Sequence, residues 1–256
     1  MPTKTELTSI CYQRNYLTDV IARIDLVSPL PSLKKELPKE ISKVALAHFP
    51  INEPRPTIQQ SVKMSEKELS TWREEFTEWN FHGRNREKSL KITPQSLLVA
   101  YKKYQEYGNL REEFLGIVQS FFGSFDQAQP SRLGLRYINE LDIQGVDPLD
   151  WKDYVSSDLL ALFSYNVEGA KPSRIFHTLE VAFPNFNIRF QFGMHNPDYP
   201  APIRRRSFIL DYDAYFKGLL EIKDIPHCLD SYHCEIQTIF ERSITDQLRR
   251  MMNESK

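Results

Sequence analysis

The chain of 256 residues has 33 lysines and arginines against 34 aspartates and glutamates, and its net charge of −1 argues against the broad positive field of a general nucleic-acid-binding or membrane-binding protein. Three cysteines in no regular framework argue against a disulfide-stabilised fold, and nine glycines argue against a glycine-rich phosphate loop. The first residues lack the apolar core of a signal peptide, and no run reaches the ~20 apolar residues of a membrane span. We therefore expect a globular cytoplasmic protein with no membrane partner.

The first half of the chain predicts a strand, a helix, a group of strands and a second helix. Alternating apolar residues predict a strand over 16–26, and Pro38 stands where the first turn of a helix accepts proline. Strands are then predicted over 57–64, 77–81 and 89–101, with Pro94 dividing the last. Asn109 and Glu112 open a helix with one broad apolar stripe.

The second half repeats this order. A clear period of two predicts a strand over 132–143, and Asp147-Pro148 then predicts the start of a helix that reaches Phe163. A hairpin is predicted over 175–192 and a last strand over 207–213, after which Asp213 caps a helical turn. Pro226 opens a long helix that continues to residue 251 or 252.

Each half therefore reads as strand, helix, three or four strands and helix. We predict a single α+β domain over residues 1–256, with pseudo-repeat halves 10–126 and 127–256 that share a curved antiparallel sheet with helices packed on one side. This element order is similar to that of the TATA-binding-protein-like fold. Because that fold serves DNA, lipids and small molecules alike, the similarity does not carry a function.

Several segments resemble the landmarks of a sporadically distributed, uncharacterised prokaryotic family of similar length, namely residues 79–81, 90–94, 133–139, 208–213 and 240–245. The stretch 134–139, with the sequence GLRYIN, is the most specific of them. The resemblance implies one cytoplasmic unit. Sporadic distribution of this kind accompanies mobile defence or toxin-antitoxin loci, so it also implies a regulator or accessory component working beside another gene product.

Charged residues on the strand over 132–143 are the first candidate site. Arg132, Arg136 and Glu140 project from one face, and Asn139 stands among apolar neighbours on the other. An arginine on a sheet face can hold an anionic ligand bidentately, and a buried asparagine must form a hydrogen bond. The alternative is a solvated cross-strand charge set, with Asn139 satisfying a neighbouring backbone group.

Two aspartates on the last predicted strand are a second candidate. Asp211 and Asp213 share a strand face, roughly 7 Å apart, and with Glu180 they could hold a hard cation such as Mg²⁺. The favoured alternative is structural: Asp213 caps the following turn, and Asp211 pairs with an arginine of the run 204–206. We therefore expect neither a metal nor a cofactor.

The third candidate is the basic run that follows a proline-rich loop. Arg204, Arg205 and Arg206 could contact a polyanion or an acidic partner, and Tyr199 could stack on bases beside them. The alternative is a solvated strand edge that resists aggregation.

The sequence contains no phosphate loop, serine elbow, catalytic carboxylate pair or zinc-ligand spacing. We therefore predict a non-enzymatic binding protein with a protein partner, and a homo-oligomer stays open. Two alternatives stay open. One is an enzyme that binds a small ligand or nucleotide in the hollow of the sheet, through Arg136, Glu140, Asp211 and Asp213. The other is nucleic-acid binding by the loop 195–206.

Overall fold

The computed structural model describes residues 11–64, 69–165 and 167–253 and shows an α+β protein. The strands are β1 Leu17–Leu26, β2 Ile51–Asn52, β3 Arg55–Met64, β4 Leu69–His82, β5 Lys88–Thr93, β6 Ser96–Tyr101, β7 Pro130–Asp142, β8 Ile175–Ala182, β9 Asn187–Met194 and β10 Ser207–Lys217. The helices are α1 Lys39–His48, α2 Tyr107–Ser124, α3 Ile225–Ser243 and α4 Asp246–Asn253. Within the described ranges, no helix is both long and apolar enough to cross a membrane.

The strands form a large antiparallel sheet in the order β2-β4-β5-β6-β1-β7-β10-β9-β8, and β3 pairs with β4 outside this order. The chain folds as two compact units. Unit 1 contains residues 11–20, 134–216 and 227–253, and unit 2 contains the described residues of 21–133 together with 217–226. Strands β1 and β7 therefore contribute residues to both units.

In unit 1 the period-two pattern of the strands separates a buried face from an open face, as the sequence predicts for β7. Leu135, Tyr137 and Leu141 of β7 are buried, whereas Arg136 and Glu140 point the other way. Helix α3 covers the buried face, and its Phe240 ring lies 6.3 Å from the ring of Tyr212 on β10. The core of unit 1 therefore lies between the sheet and α3.

In unit 2 helices α1 and α2 pack on the buried face of the strands. Six apolar side chains of α2 are buried, in agreement with the apolar stripe that the sequence predicts, namely Leu110, Phe114, Ile117, Val118, Phe121 and Phe122. Trp79 of β4 donates from Nε1 to the carbonyl of Leu33 at 2.8 Å, so the segment after β1 is attached to the sheet. The predicted division at Pro94 is confirmed, since β5 and β6 are separate strands.

The predicted helix from 147 to 163 is wrong. The segment forms only two short 3-10 turns, Ser157–Leu159 and Ala161–Ser164. Asp147 does not cap a helix: its Oδ1 accepts a hydrogen bond from the Leu149 amide at 2.9 Å, two residues along, which closes a local turn. The buried Trp151 donates from Nε1 to the Pro148 carbonyl at 2.9 Å and holds the segment irregular.

Two further predictions near the C-terminus need correction. The long helix ends at Ser243, whose carbonyl accepts a hydrogen bond from the Ser156 amide at 2.9 Å. Thr245 then caps α4, because the Thr245 hydroxyl accepts a hydrogen bond from the Leu248 amide at 3.3 Å. Strand β10 continues to Lys217, so Asp213 lies inside a strand and caps no turn. The first error arises because tertiary hydrogen bonds override the apolar spacing of the sequence, and the second because β10 stays paired with β9 as far as Tyr215.

Candidate binding site

Unit 1 contains an open pocket of about 1110 Å³ at the N-terminal end of β8. Residues from the irregular segment after β7, from the segment 161–177 and from the loop before β10 form its wall. Several of its apolar side chains are exposed to solvent, namely Val146, Leu162, Tyr165, Val167 and Phe176. Contiguous exposed apolar surface is rare on soluble proteins outside binding sites, so this composition is typical of a ligand-binding or partner-binding surface.

Contacts with Arg206 and Trp151 hold the irregular part of the wall in place. Trp151 is only 1% exposed, and its ring lies 5.3 Å from that of Phe208 on β10. Arg206 donates from Nη1 to the Gln144 carbonyl at 2.9 Å and from Nη2 to the Asp150 carbonyl. Its guanidinium also lies 5.2 Å from the centre of the Trp151 ring. Arg206 is therefore a structural residue of the pocket.

The loop 195–206 packs beside the same pocket. The buried Asn196 donates from Nδ2 to the carbonyls of Ser173 at 3.0 Å and Ala201 at 2.7 Å. The amide of Ile203, whose side chain lines the pocket, donates to the Pro172 carbonyl at 3.0 Å. These bonds fasten the predicted binding loop to the residues that lead into β8.

The cationic groups of this region lie at the rim. Lys171 and Arg174 line the pocket and are exposed, and the Arg174 guanidinium lies 4.3 Å from the centre of the Tyr199 ring. Arg204 and Arg205 are exposed and follow Ile203 directly. The structure thus places the predicted residues Tyr199, Arg204 and Arg205 next to the pocket, and the rim favours a carboxylate-bearing ligand.

One polar atom of the wall has no partner. Nε2 of His177 is buried and forms no hydrogen bond with the described residues, while the ring stacks on Phe192 with centroids 5.0 Å apart. An unsatisfied buried polar atom is costly, and an atom of this kind in a pocket wall is a natural partner for a polar group of a ligand.

Strand β8 stands at the end of the strand order and pairs with β9. Its apolar side chains Phe176 and Leu179 are 41% and 51% exposed. Gly193 of β9 lies opposite Phe176 with φ +135°, and a Cβ built there would stand 2.2 Å from the Ile175 carbonyl oxygen, so a glycine is needed at this close approach. Because the first three residues of β8 line the pocket, the edge of this strand begins at the pocket and runs away from it.

The charged residues on the open sheet face of unit 1 bind one another. Arg136 forms a bidentate pair with Asp211, with distances of 2.8 Å from Nε to Oδ1 and 2.6 Å from Nη2 to Oδ2. The hydrogen bonds to Asp211 raise the pKa of Arg136 further, with smaller contributions from the nearby Asp213 and Asp19. The prediction that Asp211 pairs with the run 204–206 is therefore wrong, because its partner is Arg136.

The remaining residues predicted from β7 and β10 are also in structural contacts. Asn139 is buried and donates from Nδ2 to the Leu210 carbonyl at 3.4 Å, and Glu140 accepts the Ser207 hydroxyl at 2.8 Å. Arg132 lies on the same strand but in unit 2. Asp213 is opposite Arg189 of β9 in the strand register. Among the described residues, no three histidines, cysteines, aspartates or glutamates are arranged to hold a metal ion.

Unit 2 contains a separate charge cluster that the sequence did not indicate. The Glu113 carboxylate of α2 accepts Lys88 Nζ at 2.5 Å and the Tyr101 hydroxyl. Lys88 Nζ also lies 5.0 Å from the centre of the Phe49 ring. Burial, and then the bond to Glu113, raise the pKa of Tyr101. Because these groups satisfy one another, the cluster attaches α2 to β5 and β6 and presents no obvious base or nucleophile.

No protein-family model matches the chain, and no curated protein sequence matches it. The geometry of the pocket alone therefore marks it as the candidate site. Sequence reasoning selected the loop 195–206 but missed the walls at 146–149 and 161–177. The available signal was a run of apolar residues with no regular period, including Leu162, Tyr165 and Val167, in a segment without a long helix or strand.

Proposed function

We propose that the chain is a non-enzymatic binding protein that takes a segment of a partner protein in the pocket beside β8. The observation that carries this proposal is the large pocket whose apolar wall is exposed while its irregular backbone is held by Trp151 and Arg206. A preformed apolar pocket with a charged rim suits a partner's side chain, because binding then needs little reordering of the protein.

The open sheet face gives less support to the enzyme alternative. Arg136, the cation proposed for an anionic ligand or nucleotide, already holds Asp211 bidentately. Asp213 and Asp19 also act on the same guanidinium, so carboxylates of the protein already compensate its charge. A phosphate brought to this face would have to compete with Asp211 for Arg136, which favours the pocket as the place of binding.

Nucleic acid is the second candidate partner, because Arg204 and Arg205 are exposed beside Tyr199. Nucleic-acid binding by this loop would weaken steeply with salt and would be lost in the Arg204→Ala/Arg205→Ala variant. A partner protein held mainly by apolar contact would show a shallow salt dependence instead.

The strand order supports the further proposal that the two halves are a pseudo-duplication with the order of the TATA-binding-protein-like fold. Reading outward from β1 gives β6, β5 and β4, and reading outward from β7 gives β10, β9 and β8, so in each half the first strand is followed by the last strand and then by the preceding strands in descending order. We also retain as proposals the membership of the prokaryotic family that the GLRYIN stretch resembles, a cytoplasmic location and an accessory role beside another gene product.

Peptide display tests the proposed function. A library of random peptides is selected on the intact chain, and the affinity of each recovered peptide is then measured for two variants. Val167→Asp places a charge in the exposed pocket wall. Leu219→Asp is the control and makes the same kind of change on an exposed apolar residue of unit 2. We expect most recovered peptides to bind Val167→Asp at least ~10-fold more weakly, the equivalent of about 1.4 kcal/mol, and Leu219→Asp unchanged.

Two results would reject the pocket as the binding site. One is selection of peptides that bind both variants equally well. The other is failure to enrich any peptide while labelled single-stranded nucleic acid binds the chain and is lost in Arg204→Ala/Arg205→Ala.

A further inference from the structure

The outer edge of β8 contains one acidic residue, Glu180, and lacks several of the features that usually protect an edge strand. Its sequence from Ile175 to Ala182 contains no lysine and no proline, it is eight residues long, and Phe176 and Leu179 are exposed. Exposed strands of this kind accept an additional strand, because their outward amide and carbonyl groups are available for backbone hydrogen bonds.

The pocket lies at the start of this edge. Ile175, Phe176 and His177, the first three residues of β8, line it. A strand added along β8 would therefore reach the pocket at one end, and every second side chain of that strand would point to the same face. One of these side chains can enter the pocket while the backbone pairs with β8.

The charges along β8 are unequal at its two ends. Lys171 and Arg174 precede the strand and are exposed at the pocket. Glu180, toward the other end, accepts the Tyr215 hydroxyl and lies 3.5 Å from Arg189. The acid that lines the pocket, Asp147, accepts a backbone amide in its local turn. An acidic group of a ligand is thus favoured at the pocket end of β8 and disfavoured near Glu180.

From these observations we infer that the partner segment is an extended, acidic peptide that adds to β8 as an antiparallel strand, with apolar residues followed by acidic residues toward its C-terminal end. The antiparallel direction follows the pairing of β8 with β9 and of β9 with β10. In that direction the C-terminal part of the peptide lies beside the start of β8, where an aromatic or aliphatic side chain enters the pocket and carboxylates meet Lys171 and Arg174. This inference depends on the proposed function, because it names the ligand of the same pocket.

The direction of the peptide gives a matched test. The probe is the peptide Thr-Val-Thr-Val-Thr-Phe-Glu-Asp with blocked ends, and the control is its reversed sequence, which has the same composition and charge. Both are titrated into the full chain by fluorescence anisotropy. We expect the forward peptide to bind at least ~10-fold more tightly than the reversed one, because only the forward peptide brings its acids to the cationic end. Equal affinities would overturn the inference.

Charge reversal tests which cations receive the acids. Lys171→Glu/Arg174→Glu is expected to lower the affinity for the forward peptide at least ~10-fold. Lys171→Glu alone leaves the contact of Arg174 with Tyr199 intact and is expected to give part of that loss of affinity. The matched control is Lys102→Glu/Lys103→Glu, the same charge change on exposed lysines of unit 2. An equal loss in the control would show a general effect of net charge and would overturn the assignment.

Backbone methylation distinguishes strand addition from binding in the pocket alone. In an added strand, every second amide of the peptide points toward β8 and the others point away. Two forward peptides are therefore made, each N-methylated on one of these two sets of amides. The peptide methylated on the amides that face β8 is expected to lose binding, and the other is expected to keep it. Retention of binding by both would overturn strand addition.

Self-association tests the other candidate occupant, a second copy of the chain. Sedimentation of the chain alone is expected to show no association that the forward peptide reverses. Peptide-reversible dimers lost in Leu179→Asp would instead make a second copy the occupant. If neither the forward nor the reversed peptide binds while peptides from the display still depend on Val167, the acidic strand is rejected and the proposed function stands. If, in addition, the peptides from the display do not depend on Val167, the acidic strand and the proposed function are both rejected.

Discussion

The centre of the sheet in unit 1 and its β8 end differ in how their polar and apolar groups are satisfied. At the centre, Arg136 holds Asp211, Tyr137 bonds His233 at 3.0 Å and Asn139 bonds a backbone carbonyl. At the β8 end, apolar side chains are exposed and His177 Nε2 has no bond to the described residues. The charged residues at the centre of the sheet are thus engaged within the fold, whereas the surface suited to a partner comes from an irregular segment.

This difference has a physical reason. Regular strands place charged residues at fixed spacings, where opposite charges on neighbouring strands pair with each other. An irregular segment has no such register, and its side chains are positioned by single contacts such as those of Trp151. The comparison predicts that the pocket end depends on a few anchors and that its exposed wall contributes to binding more than to stability.

Removing the main anchor should have the largest effect. Trp151→Ala deletes a ring that is 1% exposed and packs on Phe208, so we expect a loss of about 3–5 kcal/mol in the free energy of unfolding, measured by urea denaturation. The same variant should also bind more weakly the peptides from the display that depend on Val167. A loss below ~1 kcal/mol would mean that the pocket wall is not part of the cooperative fold.

Acid should destabilise the centre of the sheet through His233. Burial lowers the pKa of His233 from 6.5 to about 4, against a smaller opposite effect of Asp230. The unfolded chain then binds the proton more readily, so stability is lost as pH falls from about 6.5 toward 4, on the order of 3 kcal/mol in total. Urea denaturation across this range should show a flatter profile for His233→Gln than for the native chain. The exposed His195→Gln is the control and should retain the full pH dependence.

Breaking the central ion pair should have an intermediate effect. Arg136→Met leaves the Asp211 carboxylate, whose side chain is 8% exposed, without its bidentate partner. Because Arg136 itself is 41% exposed and solvent screens the pair, we expect a loss of about 1–2 kcal/mol rather than the larger value of a fully buried pair. Arg189→Met, in an exposed pair with Glu180, should change stability by less than about 0.5 kcal/mol. Equal losses in the two variants would remove the distinction between centre and end.

The smallest effect on stability is expected in the pocket wall. Val167 is 55% exposed, so Val167→Asp should change the free energy of unfolding by less than about 0.5 kcal/mol while abolishing most peptide binding. Thermal denaturation and anisotropy on the same sample measure both properties. A large loss of stability would mean that the variant acts through the fold and not through the site.

Much of the fold could be predicted because the strands have a clear period. The alternation in β1, β7 and the hairpin β8–β9 predicts those strands within a few residues. The helix over 147–163, the length of the last helix and the turn after Asp213 could not be predicted, because long-range bonds such as that from Ser156 to Ser243 decide them. Of the candidate site, only the loop 195–206 was selected from the sequence.

The walls of the pocket were missed for a related reason. Val146, Leu162 and Phe176 are far apart in the chain and follow no common period, so their convergence depends on the contacts of Trp151 and Arg206. The arginine run was selected as one surface, yet Arg206 turns inward and only Arg204 and Arg205 are exposed. A charge run in a sequence does not reveal which of its members are structural.

Amide hydrogen exchange with and without a displayed peptide that depends on Val167 tests the central claim most directly. We expect slower exchange of alternate amides of β8, between Ile175 and Ala182, because an added strand protects the amides that point outward from the sheet. We expect no change in β10 or α2. Protection that appears instead around Arg136 and Asp211, with β8 unchanged, would place the partner on the open sheet face and contradict the account.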